Sequence, residues 1–169
     1  MDTTTIKVLL AYNSWCNRRI LAAASALTPE QFVAPGAFPH GGLRGTLLHA
    51  LFAEWVWRMR WLQTPPRQGS RLTPEEFPTC AALQARWTEE EALLMDFVAG
   101  LTDERLRSEL DYTSTEGRRH RRVQWETMVH LVNHGTQHRA EAAAMLTACG
   151  HSPGDIDLVV FLDERGTVS

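Results

Sequence analysis

An all-α four-helix bundle is the fold class this sequence predicts, and three observations carry the prediction. Four long stretches repeat apolar side chains at helical spacing. Clusters of Pro and Gly separate those stretches. The chain has 169 residues, enough for one packed domain spanning 1–169 and too few for two. With 44% apolar and 22% charged residues, its composition is that of a globular chain.

The first helix is expected from Thr5 to Leu27, where Val8, Tyr12, Trp15, Arg19, Ala22 and Ala26 recur at steps of three and four. Thr28-Pro29-Glu30 opens a new turn, and Val33 to Gly42, with its prolines and glycines, reads as a loop. A second helix should run from Leu43 to Leu62, stopped by Pro65-Pro66. Thr73-Pro74-Glu75-Glu76 has a capping hydroxyl, Pro at the first helical position and acids in the first turn, so a third helix should start there and reach Gly100. Pro78 is able to delay that start. Asp111 to Val123 is polar and Arg-rich around Glu116-Gly117, which predicts a short hairpin before the last helix. That helix should span Gln124 to Cys149 and end at Gly150. The apolar run Ile156 to Leu162 is expected to fold back onto the domain.

Several function classes are disfavoured at this level. Lys plus Arg is 17 and Asp plus Glu is 20, a net charge of −3, which argues against a nucleic-acid partner. The run Arg118-Arg119-His120-Arg121-Arg122 is basic but lacks interleaved aromatics. No stretch is apolar for long enough to cross a membrane, so no membrane partner is expected. The opening residues lack a basic signal-peptide region, and three scattered cysteines (Cys16, Cys80, Cys149) suit reduced thiols; a cytoplasmic location is expected.

Three of the seven histidines fall in HLVNHGTQH, at positions 130, 134 and 138. Steps of four place them within about 80° of one another on one helix strip, with neighbours about 6 Å apart along the axis. His130 and His138, about 12 Å apart, are too far to share an ion, so only one neighbouring pair can bind it. The apolar arc of Met128, Leu131, Val132, Gly135, Ala142 and Leu146 lies beside His138 and His134, which puts that pair toward the interior and His130 at the rim. His49, the one other histidine inside an expected helix, is the candidate third ligand; His40, His120 and His151 fall in loop or hairpin segments. Three imidazoles from two helices would leave a position open, the pattern of a catalytic rather than a structural metal site. Spacing alone leaves ordinary hydrogen-bonded helix histidines equally open.

The string VNHGTQHRAEAAAML resembles the last-helix signature of the DinB-like metalloenzyme family. LLAYNSWCNRRILAAASALTPEQF is similar to that family's first helix, and GGLRGTLLHALFAEWVWRMRW to its second, with a single histidine. The likeness runs in the right order over nearly the whole chain. It implies a DinB-like four-helix bundle, usually a homodimer, with a divalent metal ion on His49, His134 and His138. Zn or Ni suits such a site best, with Mn, Fe and Cu also open. Relatives in this superfamily include thiol-dependent S-transferases and a thiol-dependent isomerase. The resemblance therefore implies a metal-activated low-molecular-weight thiol acting on a small-molecule electrophile. A metal-dependent hydrolase and a non-catalytic metal- or ligand-binding stress-response protein are the alternatives.

Other residues carry weaker expectations. Glu141, one turn beyond His138, is a candidate orienting group or general base, as is Glu54; a solvated glutamate is the alternative for each. Arg139 falls on the apolar arc and should pair with a buried carboxylate or meet an anionic substrate. Gly135 would let a neighbouring helix or a ligand approach closely. Leu43, Leu47, Trp57 and Trp61 make a second apolar stripe on the second helix, which suggests a subunit interface or packing within the chain.

Overall fold

The computed structural model describes residues 1–67 and 69–166. The single-domain expectation also covers residues 68 and 167–169, which lie outside the described residues. The molecule is mostly helical, with one two-stranded antiparallel sheet among the described residues. Its helices are α1 (Thr3–Ala24), α2 (Pro29–Val33), α3 (Leu43–Trp61), α4 (Cys80–Ala99), α5 (Asp103–Arg107), α6 (Gln124–Ala148) and α7 (Leu158–Arg165). Strands β1 (Glu109–Thr113) and β2 (Arg119–Val123) sit between α5 and α6.

Four long helices build the bundle: α6 and α4 each pack against both α1 and α3, so α1 and α3 face each other across its centre. Local chemistry sets the ends of each rod. Asp2 caps α1 by accepting from the Thr5 amide. The Thr28 hydroxyl and the Gln31 side chain form a capping box, which turns the expected bend at Thr28-Pro29 into the short α2. The expected start of the third helix at Thr73 is corrected: Pro74–Glu76 makes one 3₁₀ turn, and α4 starts at Cys80 with Thr79 as its cap. Pro78 causes the break, because it forces the preceding residue out of helical conformation. The hairpin forms with Glu109 opposite Val123 and Thr113 opposite Arg119. Gly117, at φ 83°, supplies the left-handed residue of its turn.

The core has two apolar halves. One gathers Ile6, Leu10, Trp61, Leu94, Leu106 and Met128; the other gathers Ile20, Phe32, Leu47, Leu51, Trp87 and Leu146. Along every long helix the change from one half to the other brackets a buried polar residue: Asn13 and Asn17, Glu54, Glu90, Arg139. A polar layer therefore crosses the middle of the bundle.

The tail folds back as expected. Phe161 packs against the rings of Tyr12 and Trp15, and the Tyr12 hydroxyl donates to the Ile156 carbonyl at 2.9 Å. The second apolar stripe of α3 is not a subunit interface. Trp57 and Trp61 are 8% and 1% exposed within this one chain. Trp61 stacks on Phe97 and donates to Thr127, while Trp57 meets Tyr112 of the hairpin edge-on. The hairpin and α4 cover the two tryptophans, while Leu43 and Leu47 are buried in the other core half, so this face of α3 packs within its own chain.

Candidate metal centre

The polar layer converges on Glu54, which is buried and not the solvated glutamate that its position suggested. Its Oε1 accepts from Asn13 Nδ2 and Asn17 Nδ2, both at 2.6 Å, and its Oε2 accepts from Trp87 Nε1 at 2.8 Å. Arg139 Nη1 donates to the Oδ1 atoms of the same two asparagines, at 2.5 and 3.0 Å. Arg139 thus reaches a buried carboxylate through two carboxamides rather than by direct contact. All four long helices contribute to this network. Burial pushes the Glu54 carboxyl up from its ordinary value, opposed by the three donors on it and by the charge of Arg139. Buried, and with both oxygens accepting hydrogen bonds, Glu54 is part of the framework and not a free general base. Gly135 makes the contact possible: a Cβ there would stand 2.6 Å from Arg139 Nη1 and 2.7 Å from Asn13 Oδ1.

The histidines lie beside this layer, at the seam of α3 and α6. Nε2 of His49 and Nε2 of His134 are 3.1 Å apart. The His138 ring centre is 4.6 Å from that of His49 and 4.4 Å from that of His134. The rings of the three residues named from the sequence are neighbours, but the group whose ligand atoms all lie within 4.8 Å of one another does not include His134. His130 stands at the rim, exposed, 5.8 Å from His134 and edge-on to Trp57.

A fourth imidazole joins them. His40, from the loop between α2 and α3, lies nearly parallel over His49, with ring centres 3.9 Å apart and planes at 14°. One ligand nitrogen from each of His40, His49 and His138 falls within 4.8 Å of the others. Sequence reasoning passed over His40 because it sits on no periodic face. The signal available was its setting, PGAFPHGGLRG, in which a histidine is embedded among glycines that permit an unusual loop.

Glu141 meets this cluster through His138, with its Oε2 at 2.9 Å from His138 Nδ1. That bond leaves Nε2 as the free nitrogen of His138 and fixes the ring's orientation. Burial holds His49 down to about 4 and His134 down to about 3, with neighbouring imidazoles adding to the effect. Both rings are neutral at pH 7, the form that coordinates metal.

The donor set fits a divalent ion. Two nitrogens bonded to one tetrahedral zinc at about 2.0–2.1 Å stand about 3.3 Å apart, close to the spacing of His49 and His134. Nδ1 of His134 is buried without a hydrogen-bond partner, so no bond on that side fixes the ring's tautomer. Packing several imidazoles with so few hydrogen bonds among them is costly unless a cation takes their lone pairs.

A family model described as the DinB family matches residues 1–167. The chain belongs to the DinB family. No curated protein matches it. In this DinB-family protein, as among its described residues generally, no helix is long and apolar enough to cross a membrane.

Proposed function

We propose that this DinB-family protein holds one divalent metal ion on His49, His134 and His138 and uses it to activate a thiol, or water, against a small electrophile. The observation that carries the reading is the convergence of neutral imidazoles from α3 and α6, with Nε2 atoms of His49 and His134 at 3.1 Å. Zn²⁺ or Ni²⁺ bound there would lower the pKa of a coordinated thiol or water and so supply a nucleophile at neutral pH. Glu141 acts as a positioning residue, keeping His138 turned so that Nε2 faces the cluster.

A cavity of about 570 Å³ lies further along α3, and none of the four histidines lines it. Its α3 wall is formed by Phe52, Val56 and Arg60, three, seven and eleven residues beyond His49 and hence on the same helix face. Arg67 and Arg71 line it as well, so with Arg60 the cavity would suit a negatively charged molecule. In the thiol reaction the sulfur forms a bond to the electrophilic carbon, the leaving group departs with the bonding pair, and the thiol proton passes to solvent.

The test is consumption of a low-molecular-weight thiol with a bromobimane electrophile by the metal-loaded protein. The expected result is turnover that is lost on chelation and restored by Zn²⁺ or Ni²⁺. One metal per chain with neither thiol nor hydrolytic turnover would instead favour a non-catalytic metal-binding protein.

A further inference from the structure

We propose that His40 is a fourth, exchangeable nitrogen donor of this metal centre, held in place by a loop that glycines lock onto α3. The inference rests on the metal reading above and adds a residue to it. It stands on two independent features. The first is the position of the ring: it stacks on His49 at 3.9 Å, lies 5.1 Å from His138, and brings a nitrogen within 4.8 Å of both of their ligand atoms.

The second is the construction of the loop. The Gly36 amide donates to the Gly41 carbonyl at 3.0 Å, and the Gly41 amide to the Phe38 carbonyl at 2.9 Å, folding residues 36–41 into a tight return. Gly42 has φ 132°, a conformation that side chains disfavour, and a Cβ on it would collide with the Ala34 carbonyl oxygen. Gly45, in the first turn of α3, is bare at the point where the His40 carbonyl oxygen rests, and a Cβ there would overlap that oxygen. Bare backbone at positions 42 and 45 thus lets the loop press against the helix and turn His40 toward the cluster.

The ligand-atom group of His40, His49 and His138 omits His134, so His40 would take a position at the ion that the imidazoles of α3 and α6 leave to solvent. An incoming thiol or water then has to take the position of His40 or expand the coordination. The loop, anchored to α3 by contacts that no imidazole makes, is the element that decides which.

The experiment uses Co²⁺ as a spectroscopic probe in the full chain, with affinity measured by competition against a chelator. Wild type, His40→Ala, His40→Gln and Gly45→Ala are compared after circular dichroism has verified folding. His40→Ala is expected to weaken Co²⁺ binding by at least about tenfold, since even residues behind a metal ligand contribute that much. It should also weaken the visible absorption that marks a four-nitrogen shell. Gly45→Ala should move both readouts in the same direction while leaving every imidazole intact. Unchanged affinity and an unchanged spectrum in His40→Ala would overturn the proposal and leave the three-histidine reading standing. Wild-type protein that takes up no Co²⁺, Zn²⁺ or Ni²⁺ would overturn both.

Discussion

Replacing Arg139 with Met is expected to destabilise the fold by about 3–5 kcal/mol, the cost of leaving one buried charge without its partner. Arg139 is 2% exposed, and Glu54 is 4% exposed at the meeting point of four helices. Without the guanidinium, the Oδ1 atoms of Asn13 and Asn17 lose their donor, and the Glu54 carboxylate loses the only positive charge in its network. The loss should depend on pH in a definite sense. Burial raises the folded-state pKa of Glu54 above 4.5, so its burial is tolerated below 4.5, where the carboxyl is protonated in both states. The penalty grows as pH rises through the folded value, and losing Arg139 pushes that value higher. Chemical unfolding of Arg139→Met should therefore show a larger deficit at pH 7 than near pH 4, the part left at pH 4 coming from the asparagine Oδ1 atoms without their donor. The double variant Glu54→Leu, Arg139→Met should recover part of it, because both charges are gone. A deficit independent of pH would mean that Glu54 does not carry the charge assigned to it.

The second large effect concerns metal uptake. His49→Ala, His134→Ala and His138→Ala are each expected to lower metal affinity by about 100-fold or more, beyond the loss that follows when only a supporting residue is changed. His130→Ala is expected to change it little. That contrast is informative because His130 and His138 flank His134 at equal spacing on one helix, and the helix face expected from the sequence separates them as the structure does. His138 is buried against His49 and bonded to Glu141; His130 is exposed at the rim beside Trp57. Chelator competition on the four variants measures the difference directly.

The periodic parts of this molecule were legible from its amino acids. α1, α3 and α6 appear within a few residues of their expected spans, and the hairpin and the returning tail appear where polarity and an apolar run placed them. These features depend on neighbours close in sequence. What escaped depends on distant ones. Nothing near Trp57 and Trp61 reveals that a hairpin some fifty residues later will cover Trp57, so the sequence left their stripe open between a subunit interface and packing within the chain. Glu54 looked solvated because its partners come from α1, α4 and α6, each one separately unremarkable in sequence. His40 escaped because a loop's direction is set by positive φ at Gly41 and Gly42 and by the bare surface of Gly45, not by a repeat. His49, His134 and His138 were named because helical spacing and one family signature agreed on them, and the set whose ligand atoms lie within 4.8 Å of one another is His40, His49 and His138.

The central claim is that these imidazoles share an ion. Elemental analysis of protein purified without chelators, paired with X-ray absorption at the metal edge, tests it most directly. About one Zn or Ni per chain is expected, with a nearest shell of imidazole nitrogens at about 2.0–2.1 Å for zinc. Folded protein that carries no transition metal and takes none up on reconstitution would contradict the account.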